Sequence, residues 1–145
     1  MSPARLQLAV AERCHAKLRP LPAGDEGLDR LRGFFENCWH IKDHAKSELA
    51  PTDAQQLEKD VDGIPALKIV ADLANRSKHV VLTKRDRTGA SFAVKEIQAF
   101  DGGSSRSAEA EYLVSLADGS VHRALDIADR ALAHWARVLP KYGLW

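Results

Sequence analysis

Residues 28 to 45 read Leu28-Asp29-Arg30-Leu31-Arg32-Gly33-Phe34-Phe35-Glu36-Asn37-Cys38-Trp39-His40-Ile41-Lys42-Asp43-His44-Ala45. Wound at about 100° per residue, Leu28, Leu31, Phe34, Phe35, Cys38, Ile41, Ala45 and, one turn on, Leu49 gather within about 140° of the helical wheel. Such a stripe belongs to a helix packed on a core, because the apolar residues of a half-buried strand would alternate. Asp25-Glu26 put acid where the helix dipole favours it, and Pro51 ends the run.

Outward from this helix the chain stays helical in both directions. Ser2-Pro3 reads as N-cap and first-turn residue of a helix that ends near Leu18, ahead of Pro20 and Pro22-Ala23-Gly24. Residues 51–62 are polar and acidic and read as a loop or a short exposed helix. Gly63-Ile64-Pro65 opens a third helix with Ile64, Leu67, Val70, Ala71 and Ala74 on its apolar side. From Val80 the pattern changes. Residues 91–97 fit a strand, residues 112–116 another, and Asp118-Gly119 is a hairpin signal leading to a short third strand at 121–123. Gly102-Gly103-Ser104-Ser105-Arg106-Ser107 reads as a flexible tip between the first two strands. A final helix over about 126–139 turns Leu125, Ala128, Leu132, Trp135 and Leu139 to one side, and Pro140 is expected to end it. The expected class is α+β, mostly α: a four-helix core with a small antiparallel sheet of two to three strands inserted at about 80–123, before the last helix, in a single domain of residues 1–145.

The 145 residues fit one domain, and their 45% hydrophobic and 28% charged content excludes collagen-like and disordered classes. With 21 Lys and Arg against 20 Asp and Glu, the net charge of +1 exerts no global pull on nucleic acid or a membrane. Local clustering is another matter. Between residues 76 and 95, Arg76, Lys78, Lys84, Arg85, Arg87 and Lys95 face only Asp86, whereas Glu48, Asp53, Glu58, Asp60 and Asp62 face only Lys59. A basic stretch of this kind suits a phosphate-bearing ligand such as RNA or a nucleotide, or else it blunts an exposed sheet edge. Cys14 and Cys38 have no metal-type spacing and read as reduced core thiols, and no apolar run serves as a signal or membrane segment, so a cytoplasmic protein is expected.

The third helix ends Asp72-Leu73-Ala74-Asn75-Arg76-Ser77-Lys78-His79. Asp72, Asn75 and His79 fall within about 60° on one flank of its apolar stripe, and Lys78 falls in the middle of that stripe, where a cation must snorkel or find a partner. Lys78 and His79 also fit C-terminal capping, since cations in a last turn meet the negative end of the dipole. On the second helix His40 and His44 stand one turn apart, opposite the Leu/Phe stripe. The pair has the spacing of a helix-borne zinc site, and metal binding there is an alternative reading of the chain, but Ile41 occupies the place of the protease motif's Glu and spacing assigns no third ligand, so no metal ligand is assigned. Glycine-rich nucleotide loops, Cys-x-x-Cys and the Gly-x-Ser-x-Gly elbow are missing, and no cofactor is expected. Trp39 and Trp135 read as core anchors. His15, His122 and His134 read as surface or flank residues.

In the stretches Phe34 to Asp43 and Ala71 to His79 the chain resembles the small helical domains of the HEPN superfamily, many of them in prokaryotic defence or toxin-antitoxin systems. Active members look like metal-independent ribonucleases that assemble as dimers, with an Arg four to six residues before a His. Here Arg76 and His79 are separated only by Ser77-Lys78, and Asn75-x3-His79 is the nearest match. The resemblance thus implies a module binding RNA, a nucleotide or a partner protein, with a homodimer as one assembly. Its catalytic version would use His79 as general base on a ribose 2′-hydroxyl, Lys78 or Arg76 on the phosphate, Asn75 or Asp72 to orient the imidazole, and His40 or His44 as acid.

Overall fold

The computed structural model describes residues 1–78, 91–97, 100–101, 104–105 and 109–145, and the side chains of 1–75 and 111–145. Five helices occur among them: α1 (Pro3–Ala16), α2 (Asp25–Glu48), α3 (Pro51–Asp62), α4 (Pro65–Lys78) and α5 (Ala124–Lys141). The strands β1 (Ser91–Ile97), β2 (Phe100–Asp101), β3 (Ser104–Ser105), β4 (Glu109–Ser115) and β5 (Val121–Arg123) precede α5. The molecule is mostly α, with its small antiparallel sheet before the last helix, as the sequence implies.

Helix ends lie where the chain can satisfy their orphan backbone groups. At the start of α1 the Ser2 hydroxyl accepts the Arg5 N–H at 3.0 Å, and the Glu48 carboxylate accepts the Ala4 N–H at 3.0 Å. The beginning of α1 is thereby fixed to the end of α2, against which it packs. In α2 the buried residues Leu31, Phe34, Phe35, Cys38, Ile41 and Ala45 are those of the stripe.

Two helices go beyond what their sequence implies. Residues 51–62, which read as a loop or a short exposed helix, form α3, a helix beside the four of the core. Leu57 and Val61, one turn apart, are buried, and this narrow apolar contact suffices because α2 and α4 lie against it. Pro140 does not end α5, which runs on to Lys141. A proline in the last turn costs one hydrogen bond near a terminus that is already losing them. The stop is Gly143, whose φ of 72° suits glycine. Its N–H donates to the Pro140 carbonyl and that of Leu144 to the Leu139 carbonyl, both at 3.0 Å, closing a Schellman motif.

In the three-stranded sheet β4 lies between β1 and β5, with Val94 opposite Tyr112 and Leu113 opposite Arg123. Tyr112 and Val114 are buried while Glu111, Leu113 and Ser115 are half-exposed, so β4 covers the core with one face. At the expected hairpin, Gly119 has a φ of 87° and the Asp118 carboxylate accepts the Ser120 N–H at 2.8 Å. Ser104–Ser105, inside the stretch read as a tip, pairs with Phe100–Asp101 just before that stretch, so this part of it is held in a short ladder. One hydrophobic cluster draws side chains from all five helices and from β4.

Candidate functional site

Helix α4 buries a broad face. Beyond the expected Leu67, Val70, Ala71 and Ala74, it also buries Ala66, Ile69 and Leu73, because it packs against α2, α3 and α5 together. Asp72 lies in the midst of these residues and is only 1% exposed. A carboxylate so placed loses its hydration and is tolerated only with polar interactions in return, and Asp72 has one. The helical wheel puts Asp72 at the border of the core, whereas the structure encloses it. Asn75, one turn on, is half-buried. The backbone of Arg76 and Lys78 continues the helix, but their side chains lie outside the described residues, as do His79, Lys84, Arg85 and Arg87.

On α2, His40 is half-buried and His44 is exposed. The residues between and after them bind α2 to α3. Lys42 lies 4.3 Å from the Trp39 ring centroid and 3.6 Å from Glu58, and Lys46 is 3.0 Å from Glu58. The Lys46 hydrogen bond, with a smaller charge contribution from Lys42, holds the Glu58 carboxyl below its usual range against a slight burial effect. Among the described residues no three His, Cys, Asp or Glu side chains gather closely enough to hold a metal ion. Trp39 and Trp135 are buried anchors, and both cysteines are free thiols.

Sequence reasoning missed a constellation between α1 and α5. His15 Nε2 lies 2.7 Å from Asp129 Oδ1, and the Arg19 guanidinium grips both oxygens of that carboxylate at 3.1 and 2.8 Å. Partial burial works to raise the Asp129 carboxyl, but the hydrogen bonds of Arg19 and His15 outweigh it and hold the group below its ordinary value. His15 also stands 5.7 Å from the Phe34 ring, so it is no isolated surface histidine. Beside it opens a cavity of about 440 Å³ whose other polar rim is Arg5 and Glu12, themselves paired at 2.8 Å. Only the four-residue step from His15 to Arg19 is visible locally, since their partner is 114 residues from His15. Of the other two histidines, His122 lies 3.1 Å from Ser120 and His134 lies 3.1 Å from Arg137. Burial, helped by the Arg137 charge, lowers the pKa of His134.

Compared with known proteins, the chain matches no family model, no curated protein and no solved structure. No helix among the described residues is long and apolar enough to cross a membrane.

Proposed function

We propose that this protein is a HEPN-like module of defence or toxin-antitoxin type that binds RNA or a nucleotide at the C-terminal end of α4. The observation that carries the reading is Asp72, a carboxyl group enclosed at 1% exposure among the apolar residues that α4 buries. Packing alone would favour an aliphatic residue there, since a buried ionic group is often no more stabilising than well-packed apolar side chains. A polar group held at that depth, one turn before Asn75, is placed to orient the end of the helix, and His79 follows shortly after in the sequence. The chain continues from there into the basic stretch holding Arg76, Lys78, Lys84, Arg85 and Arg87, which supplies charge for phosphate. Binding is favoured over cleavage because the Arg-to-His spacing of the ribonucleases is shortened here.

The half-buried His40 on α2, the helix against which α4 packs, supports the catalytic version as a second reading. In it His79 takes the proton of the 2′-hydroxyl and His40 or His44 protonates the leaving oxygen. Incubating end-labelled RNA with the protein in EDTA distinguishes the two. The binding reading expects a retained, uncut complex. Cleavage lost in His79→Ala with the fold intact replaces binding by catalysis, and an absence of both retention and cutting overturns both.

A further inference from the structure

The cavity between α1 and α5 shares no residue with α4 and carries its own chemistry. Arg5, Leu8, Glu12 and His15 recur at three- and four-residue steps on α1, as do Asp129, Leu132, Ala133 and Ala136 on α5, so each helix presents one line of side chains to the same space. The alanines open the volume and the leucines make its walls apolar. Trp145, 59% exposed, adds an aromatic surface and carries the Arg5 guanidinium 4.7 Å from its ring. About 440 Å³ lies within the range of small-molecule sites, roughly 300–1,000 Å³.

Charge decides what such a space accepts. Arg5 is paired with Glu12, and Asp129 engages both Arg19 and His15. Each ionic group at the rim is thus already neutralised by a neighbour. A charged ligand finds no unpaired counter-charge among these groups and would have to break one of the pairs, whereas an uncharged one leaves them intact. With Asp129 ionised and accepting from Nε2, His15 in its neutral form carries its proton on that nitrogen and keeps Nδ1 as acceptor. We infer that the α1–α5 cavity binds an uncharged aromatic alcohol or amine of about two fused rings, its ring against Leu132 and Trp145 and its O–H or N–H donating to His15.

The test is a titration of the isotope-labelled full chain with naphthol, naphthalene and naphthoate at about pH 8, monitored by NMR. Naphthol should shift the indole N–H signal of exposed Trp145, leave those of buried Trp39 and Trp135 in place, and bind about tenfold or more tighter than naphthoate. His15→Phe should bring naphthol down to the affinity of naphthalene, and Ala136→Phe should abolish binding by filling the space. Where either variant fails to fold, the map on the unsubstituted chain decides. An unmoved Trp145 signal, naphthoate binding as tightly as naphthol, or full naphthol binding by a folded Ala136→Phe overturns the assignment.

Discussion

The Tyr112 hydroxyl of β4 sits against Gly27 in the first turn of α2, 3.0 Å from the Pro22 carbonyl and 2.9 Å from that of Gly24. This contact joins the sheet to the longest helix, and it requires that residue 27 have no side chain, since a Cβ there would overlap both the Tyr112 hydroxyl and the Pro22 carbonyl.

Gly27→Ala should therefore destabilise the fold by about 1–3 kcal/mol, the cost of overpacking, although alanine is the better helix former by about 1 kcal/mol. Gly33, two turns along the same helix, has open space where its Cβ would be, and Gly33→Ala should stabilise by about 0.5–1 kcal/mol. Urea unfolding of the two variants checks the pair. A stabilising Gly27→Ala would contradict the placement of β4 on α2.

Asp60 joins α3 to the end of α5. Hydrogen bonds from Lys141, Tyr142 and Gln56 bring its pKa down to about 2. A carboxyl lowered from its unfolded value near ~3.9 contributes stability above that pH and loses it as pH falls toward 2. Asp60→Asn should thus melt a few degrees below the unsubstituted chain at neutral pH, with the gap closing between about pH 4 and 2. Tyr142 is pushed up to about 12 by burial and by the Asp60 carboxylate. Its contribution is complete below the ordinary ~10 and is lost as pH rises through 12, a loss that Tyr142→Phe should remove. Parallel melting curves at every pH would contradict this linkage.

Burial pushes the Cys38 thiol far above its usual value, with the Trp135 indole as its neighbour, whereas Cys14 is only half-buried. The thiolate is the reactive form, so alkylation of the native protein should modify Cys14 at least about tenfold faster than Cys38, which becomes comparable only on unfolding. Peptide mapping after timed alkylation measures this. Equal native rates would place Cys38 outside the core.

Legibility in the sequence depends on which residues interact locally. The stripe of α2, the caps at Ser2-Pro3 and the Asp118-Gly119 turn are short-range signals, and each marks a structural feature. The reading of α3 is ambiguous because its buried contact rests on Leu57 and Val61 among ten other residues that are mostly polar. Pro140 misleads because the glycine three residues later closes the helix. Asp72 stands out in the sequence, but its depth does not, because the wheel of one helix does not show that three others surround it. The His15–Asp129 pair joins the two ends of the chain and has no local signature. His79, Lys84, Arg85 and Arg87 lie outside the described residues.

Phosphate recognition at the end of α4 can be measured by fluorescence anisotropy of a labelled single-stranded RNA oligonucleotide titrated with the full chain in EDTA over a range of salt. Binding should weaken with a slope of roughly 0.7 per phosphate contacted on a log–log plot, and should fall about tenfold or more when Lys84, Arg85 and Arg87 are together replaced by alanine in a protein that still folds. No binding at low salt, or binding unchanged by the triple replacement, would mean that the basic stretch following α4 in the sequence does not recognise phosphate.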